Sequence, residues 1–176
     1  MSTKTPERVY VDQRIFSDAH KDTMTWAMPW FFDEVRRGMW TVVVATPLLA
    51  TQHFLDLQLP PQSVESIDPA LGMPVLRAYL DAGIVTAADA DAALQVALAT
   101  VAGCTVLISW DTRAIANHLQ VPRYHAVNQT LGYPAPALHL PPAILHYDDA
   151  HDVPSEAVQM KRRVAEQRYR RAGQRS

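Results

Sequence analysis

Hydrophobic positions along the chain fall into two kinds of run. Arg8-Val-Tyr-Val-Asp12 is short, apolar and closed by an acid, and predicts a buried first strand with Asp12 at its carboxyl end. Thr41-Val-Val-Val-Ala45 is continuous and β-branched, as in a strand covered on both faces. Thr105-Val-Leu-Ile-Ser109 repeats that pattern and leads into Trp110-Asp111. Ala137-Leu-His-Leu140 predicts a last short strand, bounded by prolines and so near an edge. Between these runs the spacing changes. Residues 18–37 are rich in Met, Trp and Phe and close on Glu34-Val-Arg-Arg37 and Gly38, with cations in the last turn and a glycine stop. Pro47 opens a short helix to about Leu57, and Met73 to Ala82 forms a helix closed by Gly83. Thr86-Ala-Ala-Asp89 has the spacing of a capping box ahead of Ala87–Ala102, a run of Ala, Leu and Val packed on most sides. Pro60–Pro69 predicts a turn-rich connection, and residues 113–131 one or two short helices interrupted near Pro122.

Strands alternating with helices predict an α/β fold: a three-layer α/β/α arrangement around a small, mostly parallel sheet. In such sheets function gathers beyond the carboxyl ends of the strands. Asp12 and Asp111 both stand there, so neighbouring strands would bring the two carboxylates together. Paired acids in that position suit a hard divalent cation, which takes oxygen ligands and activates water on a phosphodiester. They suit helix capping equally well.

Composition narrows the classes. The 176 residues, 48% apolar and 19% charged, describe a folded domain rather than a disordered chain. The single Cys104 excludes a disulfide framework and a multi-cysteine zinc site, and its place at the opening of a buried strand predicts an inert core thiol. No glycine-rich phosphate loop, nucleophile elbow or metal-ligand spacing of histidines is present. The longest apolar runs, such as residues 39–50, are too short to span a bilayer, and residues 1–8 carry no secretory apolar segment. The expectation is a cytoplasmic protein without a membrane partner. The net charge of -2 conceals an asymmetry. Residues 161–176 hold seven basic side chains and one acid, a balance of +6, against nine basic and seventeen acidic side chains in residues 1–160, a balance of -8. The expected organisation is a domain over 1–150 followed by a basic tail over 151–176, helical from about Ser155 to Arg171. Such a tail suits an anionic partner, the acidic body itself, or a solvated end.

The stretch Asp91-Ala-Ala-Leu-Gln-Val-Ala-Leu-Ala-Thr through Gly103-Cys-Thr-Val-Leu-Ile-Ser-Trp-Asp111 resembles the second half of PIN-domain proteins, especially the VapC-like toxin branch. That branch carries a pattern close to D-A-L-H-I-A-x-A-x-x-x-G-x-D-x-L-x-T-W-N. Thr112-Arg-Ala-Ile-Ala-Asn117 is similar to its continuation, and Gly132-Tyr-Pro134 and Pro141-Pro-Ala-Ile-Leu145 to its closing elements. Arg8-Val-Tyr-Val-Asp12 is similar to its opening strand. The likeness spans roughly residues 8–147.

The resemblance implies a PIN-like fold and a metal-dependent endoribonuclease, the toxin of a toxin–antitoxin pair, with three or four acids holding Mg2+ or Mn2+. Carried over residue by residue, the match keeps Asp12 but places Thr51 and Ala92 where acids belong, Gln95 and Ala114 where histidines belong, and Thr105 at a further acid. Asp111 replaces an asparagine. Asp91 adjoins the missing acid, but one residue on a helix is a rotation of ~100°, so Asp91 faces elsewhere unless the helix shifts register. Asp89 lies at the helix start and suits capping. Glu156-Ala-Val-Gln-Met-Lys-Arg-Arg163 resembles the start of small antitoxin-like proteins that accompany such toxins.

Two functions follow. In the first, a ribonuclease toxin with weakened or lost activity, Asp12, Asp91 and Asp111 are the catalytic acids. Asp12 and Asp111 hold Mg2+ or Mn2+, and Arg113 holds RNA phosphate. In the second, a PIN-like protein without catalysis binds RNA or a protein partner. An antitoxin-like protein is the partner that the toxin resemblance implies, and a homodimer is expected.

Overall fold

A computed structural model describes residues 6–16 and 27–144. The predicted tail over 151–176, its helix, and the first part of the helix expected from residue 18 lie outside the described residues.

Five strands form one sheet: β1 (Glu7–Val11), β2 (Trp40–Ala45), β3 (Val64–Ile67), β4 (Val106–Ile108) and β5 (Ala137–His139). Their spatial order is β3-β2-β1-β4-β5, with every pairing parallel. The helices are α1 (Ala27–Arg36), α2 (Gln52–Leu55), α3 (Met73–Asp81), α4 (Ala90–Val101), α5 (Val121–Thr130) and α6 (Pro141–Ile144). They cover both faces of the sheet, giving the three-layer α/β/α fold.

Alternation along the central strands divides the core in two. Val9, Val11, Val42, Val44, Val106 and Ile108 turn to one face, where α1 supplies Phe31, Phe32 and Val35. Tyr10, Val43 and Leu107 turn to the other, against Ala92, Ala93, Val96 and Ala97 of α4 and Tyr79 of α3. Helix α4 is buried continuously from Gln95 to Thr100, which explains why its sequence shows no polar stripe. Gly72 permits close packing beside α4: a Cβ there would lie 2.8 Å from Leu98 Cδ2. A buried polar knot ties the helices together. Tyr79 donates its hydroxyl hydrogen to Asn128 Oδ1 (2.5 Å), and Asn128 Nδ2 donates to Thr100 Oγ1 (2.9 Å).

Several boundaries differ from the sequence expectation. The helix predicted from Pro47 is a 3-10 turn over Thr46–Ala50 followed by α2, because Thr51 between them is extended. The connection over Pro60–Pro69 contains an edge strand, β3. The capping box does not form: α4 begins after a 3-10 turn over Ala87–Asp89, and Thr86 caps no backbone N–H with its side chain. Its hydroxyl meets Asp89 Oδ2 at 3.3 Å instead. Pro122 does not interrupt a helix but sits in the first turn of α5, where a missing N–H costs nothing. No described helix is long and apolar enough to cross a membrane.

Candidate functional site

The strand order reverses between β1 and β4, since the chain moves outward from β1 to β2 and β3 on one side and to β4 and β5 on the other. The crevice beyond the carboxyl ends of β1 and β4 is therefore the topological switch point of the sheet. Asp12 and Asp111 meet there.

Asp12 is fixed by the strand it ends. Its backbone N–H donates to Ile108 O (3.1 Å), extending the β1–β4 ladder past the Val11–Ile108 pair. Ser109 follows Ile108, and its N–H donates to His139 O of β5 (3.0 Å). Asp12 and Ser109 thus lie side by side, and by alternation both turn toward the α4 face. The Ser109 hydroxyl donates to Asp12 Oδ2 and accepts the N–H of Asp111 (3.0 Å), joining the two acids through one oxygen.

Arg14 closes the network. It lies in a 3-10 turn, Gln13–Phe16, directly after Asp12. Its backbone N–H donates to Asp12 Oδ1 (3.1 Å) while its guanidinium forms an ion pair with Asp111 Oδ2. Asp111 Oδ1 accepts from the N–H groups of Arg113 (3.0 Å) and Ala114 (2.7 Å). Each acid therefore caps the turn that follows it, which is the capping role its position predicts. Each of the four carboxylate oxygens accepts at least one hydrogen bond.

Burial separates the two acids. Asp12 has no exposed surface, and this burial pushes its carboxyl above the ordinary range. The hydrogen bonds from Ser109 and Arg14 and the Arg14 charge oppose the shift, and the nearby charge of Asp111 adds to it. For Asp111 burial also pushes upward, but the Ala114 N–H, the Arg14 guanidinium and the Arg113 N–H outweigh it and hold the carboxyl below the ordinary range. The partly open carboxylate is thus the better charged, and the sealed one is held by neutral donors.

Asp91, expected as a third acid, is exposed in the first turn of α4. The inward positions of that helix belong to Ala92 and Gln95, and Gln95 Oε1 accepts a hydrogen bond from Tyr10 (3.0 Å). Helical geometry thus turns Asp91 outward. Arg113, expected to hold phosphate, is 74% exposed and lies 2.6 Å from Asp89 Oδ1. The Thr51 hydroxyl closes its own turn onto Leu48 O (2.7 Å). Thr105 stands at the amino end of β4, bonded to Arg8 O, so it lies roughly 13 Å along the strand from Ser109. An acid at position 105 would not reach this crevice. Cys104 is buried, and burial pushes its thiol up to about 12, as suits an inert core group.

Among the described residues no group of three or more His, Cys, Asp or Glu side chains is placed to hold a metal ion. A Mg2+ or Mn2+ ion needs near-octahedral oxygen ligation with several waters. Two carboxylates, one sealed and the other paired with a guanidinium, do not fit that requirement as arranged. Sequence reasoning missed Arg14 and Ser109. The available signal was position: Arg14 is two residues past the strand-ending Asp12, and Ser109 two before Asp111. Comparison with protein-family models, with curated proteins and with solved structures returns no match.

Proposed function

We propose that this chain is a PIN-like protein that acts by binding RNA rather than by cleaving it, with its acidic centre retained as a structural lock. One observation carries the reading: Arg14 joins both carboxyl groups of the centre, through its backbone N–H to Asp12 and its guanidinium to Asp111. The +6 balance of residues 161–176 supports the choice of RNA, since clustered Lys and Arg bind phosphate backbones by releasing counterions. The reading expects a cytoplasmic homodimer.

The test measures cleavage and binding in parallel. The full chain with Mn2+ or Mg2+ should show no RNA cleavage that Asp111→Ala abolishes. RNA binding should weaken steeply with salt, and replacing Lys161, Arg162 and Arg163 by Gln should reduce its salt slope by about 2–3 units, one per lost phosphate contact. Cleavage that depends on Asp111 would overturn the reading. So would binding indifferent to both salt and the tail.

The ribonuclease toxin is the second reading, favoured by the meeting of Asp12 and Asp111 at the switch point. It requires Arg14 to leave Asp111 and a further ligand to reach the crevice. An antitoxin-like protein partner belongs to this reading.

A further inference from the structure

Helix α3 buries one face and leaves the other open. Val75, Leu76 and Tyr79 are buried against the body, while Met73, Pro74, Arg77 and Asp81 are exposed on the opposite side, as a repeat of 3.6 residues requires. The entry to the helix is anchored by Gly72, which is buried beside Leu98 of α4. The residues on either side of that anchor, Leu71 and Met73, are 57% and 49% exposed. Neither Arg77 nor Asp81 has a side-chain partner among the described residues, although one turn separates them. Their order is the one a lone helix favours least. The arginine precedes the aspartate, and the aspartate is the last residue of α3, where the helix dipole opposes a negative charge. Along the open face the stripe therefore runs apolar, positive, negative, with no reason for that order within the helix itself.

We infer that the open face of α3 is the contact between two copies of this chain, paired antiparallel about a two-fold axis near position 79. In an isologous contact residue i meets residue j and j meets i. Antiparallel pairing centred at 79 sets Arg77 of each copy against Asp81 of the other, so both ion pairs form together. Charge complementarity selects the second copy as the occupant, because the stripe matches its own reversed image. At a rise of 1.5 Å per residue Met73 lies about 9 Å from the axis, past the end of the other copy's helix. There it meets the connection that follows the helix, where the small residues Ala82, Gly83, Ala87 and Ala88 are exposed and leave room for Leu71 and Met73. Methionine and arginine are also types that interfaces favour. The inference gives a face to the homodimer that the proposed function expects, and it makes no use of RNA binding.

The experiment is sedimentation equilibrium of the full chain without RNA, on wild type, Arg77→Asp, Asp81→Arg and a 1:1 mixture of the two variants. Wild type should be dimeric at about 100 μM, above the Kd of ordinary specific contacts. Each single charge reversal sets like charges opposite each other at both contacts, and should raise the dimer Kd by at least about tenfold. The mixture should recover the dimer, because a copy with two acids on its stripe then meets a copy with two bases. A merely structural role for either residue gives no such recovery. A monomeric wild type overturns the inference. So does a dimer indifferent to the single reversals, or a mixture no more dimeric than its components. If a charge variant fails to fold by circular dichroism, Met73→Ser decides: it keeps both charges and should raise the dimer Kd about tenfold, and an unchanged Kd overturns the inference. RNA binding is judged separately, because Lys161, Arg162 and Arg163 are untouched in every sample.

Discussion

Strand β1 carries an arginine–carboxylate pair at each end, and the two are built differently. At the amino end, Arg8 reaches Glu65 of β3 with one guanidinium nitrogen and the carbonyl of Ala102, just after α4, with another. Both partners are open to solvent, with side chains 37% and 46% exposed. At the carboxyl end, Arg14 reaches an Asp111 side chain only 11% exposed, beside an Asp12 with no exposed surface at all. Water screens the first pair and its contribution is small. In the second, Arg14 is 33% exposed, nearly as open as Arg8, but the two carboxylates are shielded from water, so they depend on their partners. The comparison teaches that a cation–carboxylate contact gains consequence from its depth and its neighbours, and that the carboxyl edge of this sheet is where the protein has placed a contact of consequence.

Substitutions sharpen the contrast. Asp111→Ala should have the largest effect, a loss of about 2–3 kcal/mol, because it removes the carboxylate that pairs with Arg14 and uncaps the N–H groups of Arg113 and Ala114 together. Chemical denaturation would record it as a lower midpoint at unchanged slope. Ser109→Ala should cost about 1–2 kcal/mol by removing the hydroxyl donor to Asp12 and the acceptor of the Asp111 N–H.

The acids should also respond to pH with opposite signs. Asp111 titrates lower in the folded chain than in the unfolded one. Its contribution is present above the unfolded value of about 3.9 and is lost as pH falls through the folded value. Asp12 titrates higher when folded. Its contribution is complete below the unfolded value and is lost as pH rises through the folded one. Asp12→Asn should therefore gain in Tm relative to wild type as pH climbs from about 4 toward neutrality, whereas Asp111→Asn should fall behind below that range, as pH climbs through the folded value of Asp111 to about 4, and keep a constant deficit above it. Parallel Tm–pH curves for the two variants would refute the assignment. At the amino end, Glu65→Gln should change stability by less than about 0.5 kcal/mol at ordinary salt. A loss there as large as that of Asp111→Ala would abolish the distinction between the two ends.

Much of this frame was legible in the chain. The strands β1, β2 and β4 announce themselves because strands buried on both faces need unbroken apolar runs, and α4 because a helix between layers needs no polar stripe. Asp12 and Asp111 were legible because each interrupts such a run at its carboxyl end. Strand β3 was not: Val64-Glu-Ser-Ile pairs along one edge only, with Glu65 and Ser66 exposed, and shares its composition with a loop. The cation between the acids was hidden for another reason. Arg14 sits in a short turn outside the strand, and its partner lies 97 residues away, so only the parallel pairing of β1 with β4 reveals the contact. Thr105 shows the same limit in reverse, since an alignment to a motif gives it a site role while the register puts it at the far end of the strand.

The most direct test of the account is a double-mutant cycle between Arg14 and Asp111, using Arg14→Gln, Asp111→Asn and the pair, read by equilibrium unfolding at neutral pH without divalent ions. The account predicts a coupling of about 1–2 kcal/mol, well above the additivity limit of ~0.5 kcal/mol for independent sites. Additive losses would mean that the guanidinium does not hold the Asp111 carboxylate, and the internally neutralised centre would be contradicted.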